Sequence, residues 1–321
     1  YHRPDLMPDA LHPNPEGARL IAQRVYSAIT GDFGGLSVSK LYSDNMIIQR
    51  DMPFIVKGTA NANEDIVVRF NKKSIKTKAN YNGKWEVCFD TVRVDGKKHK
   101  LTITSKNKSL SFKNILVGEV ILCSGNYKPT YANQQSTDFI KNHNDDIRIY
   151  YMETPDVSEV VADLENMNST EKEIINNYYL YWPTTWQSIN EDNIDYYKSS
   201  YHLARKISDS LQMPVGLIYN IVEDMPIESF IDRKTIEWHP TLLDILYEWR
   251  NKDKVIDYCH PYEPSYIYYR GFDPLSSFSI GSALWFMKHS DDDLESVKIS
   301  ALIDSWRKTW NNEDLPLIIQ Q

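Results

Sequence analysis

The chain has 321 residues, 41% of them hydrophobic, and a formal net charge of −8, with a mean hydropathy of −0.50. That length suffices for two or three domains with sizeable cores, and the acidic balance argues against a nucleic-acid partner, which calls for a basic surface. No apolar run approaches the ~20 residues that a helix needs to span a bilayer.

Cys88, Cys123 and Cys259 are too few and too scattered for a disulfide framework or a zinc site, and no cofactor is expected. The first structural signal is a helix. Asn14 suits an N-cap, Pro15 the first helical position, and Glu16 the positive end of the helix dipole. Ala18, Leu20, Ile21, Val25 and Ile29 follow at helical spacing, and Gly31 stops the run. Gly31-Asp32-Phe33-Gly34-Gly35 then reads as a linker.

From Leu36 to Lys113 the period shortens. Phe54-Ile55-Val56, Ile66 to Phe70, Trp85 to Phe89 and Leu101 to Thr104 are β-branched and aromatic runs. Turn clusters such as Asn82-Gly83 and Asp95-Gly96 separate them, which predicts an antiparallel β-sandwich. No cluster of exposed aromatics stands out, so the sandwich reads as a structural unit, with sugar binding as the alternative.

After Gly118 buried strands and amphipathic helices alternate, the α/β pattern. Gly118-Glu119-Val120-Ile121-Leu122-Cys123-Ser124-Gly125 is a buried parallel strand that stops abruptly in Ser-Gly. Tyr196 to Leu211 predicts a helix, and Val215 to Ile218 the next buried strand. The run Leu315 to Gln321 reads as a strand. Together with the opening at Tyr1, it makes the chain look like an internal piece of a longer protein.

These runs carry a resemblance. The strand at Gly118 to Gly125 resembles the first motif of the sialate O-acetylesterase family, a carbohydrate-esterase branch of the SGNH hydrolases. That motif reads roughly Gly-Glu-Val-Trp-Leu-Cys-Ser-Gly-Gln-Ser-Asn, and its last serine is the nucleophile. Leu41 to Arg50, Lys57-Gly58-Thr59-Ala60 and Asn82-Gly83-Lys84-Trp85 resemble the small sandwich that precedes the catalytic domain in that family. Glu223-Asp224-Met225-Pro226-Ile227-Glu228 is similar to the family's Gly-Gly-Thr-Pro-Ile-Glu, and Leu284 to Asp291 to its Ile-Trp-Tyr-Gln-Gly-Glu-Ser-Asn. Asp9-Ala10-Leu11-His12-Pro13-Asn14 resembles the closing SGNH motif, Asp-x-x-His-Pro-Asn, in which histidine is the general base and aspartate orients it.

The resemblance implies an SGNH-type (flavodoxin-like) three-layer α/β domain over 114–321, incomplete at its C-terminus. It further implies a β-sandwich over 36–113 and, over 1–35, the tail of a preceding SGNH domain plus the linker. The implied partner is an O-acetylated sugar or glycan, the implied reaction ester hydrolysis, and the implied location periplasmic or extracellular. Asp9 and His12 are then triad remnants of the preceding domain, expected at the surface and away from Tyr127.

Within the visible domain the motif positions depart from the family. Tyr127 stands at the serine position, Glu223 and Asp224 at the glycine pair whose backbone N–H serves the oxyanion, and Asp291 at a donor asparagine. Acyl transfer needs a nucleophile, a base and oxyanion donors. A like charge ~4 Å from a developing oxyanion costs about 4 kcal/mol at an effective dielectric of about 20. The expected result is a catalytically dead α/β domain with the chemistry upstream. The alternatives are a non-enzymatic carbohydrate-binding or structural module, and closure of the visible site by Asp9 and His12.

Other groups carry plainer readings. Ser124 reads as structural; His289 and Ser290 are adjacent and point apart on a strand. His143 to Asp146 and Asp291 to Asp293 read as solvated loops before cation sites. His202 reads as a surface or half-buried helix residue. The aromatic pairs Tyr178-Tyr179, Tyr181-Trp182 and Tyr268-Tyr269 read as packing before a sugar cleft.

Overall fold

The computed structural model describes residues 12–129, 146–152, 184–189, 198–251, 262–288 and 292–320. Helix α1 (Pro15–Thr30) begins and ends as its sequence dictates. Asn14 Oδ1 accepts the Gly17 amide at 2.8 Å, and Gly31, at φ 72°, closes the last turn on the Ser27 carbonyl. Its apolar stripe is uncovered: Ile21, Val25, Tyr26 and Ile29 are between 51% and 79% exposed. The glycine-rich stretch behind α1 is fastened down. The Phe33 and Gly35 amides both donate to Asn61 Oδ1, at 2.9 and 3.0 Å, and the Ala62 amide to the Gly31 carbonyl at 2.8 Å.

Two sheets follow, face to face. One has the order β1-β3-β6, built from β1 (Ser37–Val38), β3 (Pro53–Thr59) and β6 (Lys84–Thr91). The other runs β5-β4-β7-β8, from β5 (Lys73–Lys78), β4 (Asp65–Phe70), β7 (His99–Thr104) and β8 (Ser109–Gly125). Alternation buries Trp85, Val87 and Phe89 of β6 while their neighbours face water, as a half-solvated antiparallel sheet requires. Phe54, Phe70 and Phe89 pack between the sheets with centroids 5.0–6.1 Å apart.

Strand β8 does not stop at the sandwich. Its first part pairs antiparallel with β7. At Leu116 to Gly118 it pairs with β2 (Ile47–Gln49), from Glu119 with β11 (Val215–Ile221), and from Ile121 with β12 (Ser282–Phe286). The change of pattern read at 113/114 therefore falls inside one strand. The α/β half of the sheet has the order β13-β12-β8-β11-β9-β10, adding β9 (Ile147–Tyr151), β10 (Trp186–Ser188) and β13 (Leu317–Gln320). It is parallel except that β10 runs against β9.

Helices cover both faces of this half, giving the mixed α/β architecture. Helix α2 (Lys198–Leu211) buries Tyr201 and Ala204 against Ile121, Cys123, Ile149 and Leu217. On the other face lie α3 (Arg233–Trp238), α4 (Leu243–Asn251) and α5 (Glu295–Thr309). Trp306 of α5 stacks on Phe272 at 4.6 Å, packs on Trp285 at 5.7 Å and donates its indole N–H to the Phe230 carbonyl. Polar side chains join the two halves. Arg148 of β9, 1% exposed, donates Nη1 to the carbonyls of Asn45 and Asn114, and Arg50 pairs with Glu119 at 2.8 Å.

Candidate functional site

Parallel strands aim their C-terminal ends at one edge, where α/β proteins place their ligands. Here Gly125, Ile221 and Phe286 end β8, β11 and β12 in register. A Cβ on Gly125 would collide with the Phe286 carbonyl, so only glycine lets the strands close this tightly. Ser124 is buried and donates its hydroxyl to the Asn220 carbonyl at 2.6 Å, a structural use as expected. Burial pushes the Cys123 thiol up to about 12, and the Ser200 hydrogen bond offsets only part of this. That thiol is no nucleophile at neutral pH.

Asn126, which the motif reading passed over, ties the mouth together. Its N–H donates to the Phe286 carbonyl at 3.0 Å, its carbonyl accepts the Asp224 amide at 2.9 Å, and its Nδ2 donates to the Met225 carbonyl at 3.0 Å. Its buried Oδ1 has no hydrogen-bond partner among the described residues. Tyr127, next in the chain, is 37% exposed at this mouth and makes no hydrogen bond among the described residues. A bulky phenol with no hydrogen-bonded base among the described residues is a poor substitute for a serine nucleophile.

Glu223 and Asp224 form an exposed turn after β11. Water screens charges in such a turn, so the expected penalty of about 4 kcal/mol is too large; about 1 kcal/mol at 4 Å is the bulk-water figure. Asp224 sits at φ 58°, a left-handed backbone conformation that glycine adopts most readily. His12 is exposed in the loop ahead of α1. Asp9, Asp291, His289, Ser290, Cys259, His143 to Asp145, Tyr178-Tyr179 and Tyr181-Trp182 lie outside the described residues. Tyr268 is a packing residue: it is 7% exposed, bonds Thr309 Oγ1 at 2.7 Å and stacks on Phe272. His202 is half-buried on α2.

Behind the turn a cleft of about 520 Å³ opens between the loops that follow β11 and β12. Trp249, Tyr262 and Pro226 contribute to its walls, and Lys298 of α5 lies between two carboxylates, 3.0 Å from Glu228 and 2.7 Å from Asp292. Burial works to lower Lys298, but Asp292 and Glu228 outweigh it and raise the ammonium above its ordinary value. The Lys298 hydrogen bond holds Asp292 below the usual carboxylate range. The cleft thus offers aromatic surface beside fixed acceptors and one ammonium, a combination suited to a ring carrying hydroxyl groups. Sequence reasoning met Glu228 as a motif residue. It missed Lys298 and Trp249, because nothing at those positions marks that they converge.

Among the described residues no helix is long and apolar enough to cross a membrane. No protein-family model matches the chain. The human sialate O-acetylesterase is 21% identical over 301 aligned positions, covering 86% of this chain and 54% of the human protein. The rat sialate O-acetylesterase is 22% identical over 314 positions, covering 84% and 56%. The chain thus spans about half the length of the curated relatives it matches. A carbohydrate acetylesterase from Xanthomonas citri shares the fold, with a TM-score of 0.66 at 18% identity over 88% of this chain and 59% of that one. In sequence the chain is similar to sialate O-acetylesterases, and in fold to a carbohydrate acetylesterase.

Proposed function

We propose that this chain is part of a carbohydrate O-acetylesterase of the sialate O-acetylesterase kind, in which the visible α/β unit binds the sugar and an SGNH unit using Asp9 and His12 cleaves the ester. The observation that carries the reading is Tyr127: an exposed ring without a hydrogen-bonded base among the described residues, at the strand end where the resembling motif carries its serine. Two further features support it. The acidic turn Glu223-Asp224 replaces the glycine pair, and α1, the helix behind Asp9 and His12, keeps its apolar stripe uncovered by this chain's own sheets. The cleft beside Lys298 receives the sugar in this reading.

The test is an acetyl-ester assay on the purified chain, on Tyr127→Ser and on His12→Ala. The expected outcome is no turnover above a control protein for any of them. Loss of one oxyanion donor alone costs about 10²–10³ in rate, and restoring serine leaves the base missing. Turnover by the unaltered chain that Tyr127→Phe or His12→Ala abolishes would show a rebuilt site and discard the reading. Calorimetry with acetylated xylo-oligosaccharides and Trp249→Ala tests the binding half. A second reading, a purely structural α/β unit, is favoured by Lys298 itself, whose charge is already neutralised by Glu228 and Asp292. Absence of heat with any acetylated sugar would select it.

A further inference from the structure

The β-sandwich carries a second cleft, of about 610 Å³, between the β4–β5 turn and the β6–β7 connection. Its charge runs against the rest of the molecule. Lys72, Lys73, Arg93, Lys97 and Lys98 line it, against two carboxylates, Asp90 and Asp95, on a chain of net charge −8. Lys73 is paired with Asp90. Lys72, Arg93, Lys97 and Lys98 are exposed and have no ion pair among the described residues.

The lips that carry these cations are pinned from beneath. His99, 9% exposed, holds Asn71 Oδ1 at 2.7 Å through Nδ1 and Asp95 Oδ1 at 2.9 Å through Nε2. One buried ring therefore fastens both loops, and the Lys97 amide donates to Asp95 at 3.0 Å. Phe70, 5.5 Å from the His99 ring, and Phe89 close the floor. Like charges gathered on fixed loops repel one another unless an anion neutralises them, and fixing the loops in advance lowers the cost of binding it.

We infer that this cleft binds an acidic saccharide, a sugar ring bearing carboxylate or sulfate groups, at a site separate from the α/β cleft. The cations take the oxyanion. Asp90 and Asp95 accept sugar hydroxyls, which a ligand of phosphates alone does not offer. Single-stranded nucleic acid is disfavoured because Phe70 and Phe89 are 4% and 3% exposed and present no face for a base. The choice of a sugar rests on the proposed function; the choice of an oxyanion rests on the cleft alone.

The experiment titrates the whole chain by calorimetry with trigalacturonic acid, a heparin-derived disaccharide, neutral xylotetraose and a short oligodeoxythymidylate, each also against Lys97→Glu/Lys98→Glu. Binding of either acidic sugar is expected, with carboxylate and sulfate told apart by which of the two binds more tightly. Charge reversal should weaken it at least about tenfold, and raising salt from about 0.05 to about 0.5 M should weaken it too. Neutral xylotetraose should not compete. Absence of binding by both acidic sugars, or equal binding by the charge-reversed chain, overturns the site; tighter binding of the oligonucleotide overturns the sugar assignment. Binding of acetylated xylo-oligosaccharides that Trp249→Ala abolishes and charge reversal leaves unchanged reports on the α/β cleft, so the two readings fail separately.

Discussion

Asp224 sits at φ 58°, a conformation that costs most residues about 1–2 kcal/mol, aspartate less and glycine nothing. Asp224→Gly should therefore change stability by no more than about 0.5 kcal/mol, relief of the backbone being offset by glycine's freedom in the unfolded chain, whereas Asp224→Val should destabilise it by about 1 kcal/mol or more. Denaturant midpoints measure both, and equal midpoints for glycine and valine would remove the claim of strain. Lys298 gives the opposite case. Replacing it with methionine leaves Glu228, whose side chain is 13% exposed, as a nearly buried carboxylate without its cation, a loss of about 3 kcal/mol. Its pH dependence has a definite sign. Asp292 is held low, so its contribution is full above its unfolded value, about 3.9, and disappears as pH falls through the lower folded value. Lys298 is held high, so its contribution is full below about 10.4 and disappears as pH rises through the higher folded value. Stability measured across pH should fall at both ends for the native chain and less steeply for Lys298→Met.

Elements were legible in proportion to how regular their patterns are. Asn14, Pro15 and Gly31 gave both ends of α1, and the run from Gly118 to Gly125 gave a buried parallel strand, because caps and apolar runs are local signals. Strand β5 was not legible. Lys73-Ser74-Ile75-Lys76-Thr77-Lys78 has one apolar residue, and it lies at the sheet edge, where lysines guard against unwanted pairing. The start of β8 carries only a short alternation, Leu110 and Phe112, before the long apolar run. The candidate site was legible only at its motif positions. The left-handed backbone of Asp224, the ties made by Asn126 and the approach of Lys298 to Glu228 arise from tertiary contact. For α1 the uncovered stripe makes a prediction. Ile21→Glu with Val25→Glu should change stability by no more than about 0.5 kcal/mol, since both residues are about half exposed. It should also reduce any self-association of the chain in analytical ultracentrifugation. Loss of more than ~2 kcal/mol would mean that the stripe is covered in solution.

The molecule as a whole is bound together by β8, by buried Arg148 and by the Trp186 indole, which donates to the Leu41 carbonyl at 3.0 Å across the two halves. These ties predict one unfolding transition. Near-ultraviolet and far-ultraviolet signals should move together, and calorimetric and van't Hoff enthalpies should agree. Two separated transitions would mean that the sandwich and the α/β half melt independently. Arg148→Met removes the donor that the half-buried Asn45 and Asn114 carbonyls share and should lower that single transition without splitting it.

A strand that belongs to two sheets also limits how such a protein is inherited and rearranged. Modules that evolution shuffles are joined by loops, and a recombination point in a loop leaves each partner's hydrogen-bond ladders whole. Between positions 113 and 114 there is no such seam, because a crossover there cuts β8 in mid-strand. Exchange of either half alone would therefore have to rebuild the other half's share of β8. A cut at 31–35 would break no strand, only the hydrogen bonds that Phe33 and Gly35 make to Asn61 and that Gly31 makes to Ala62.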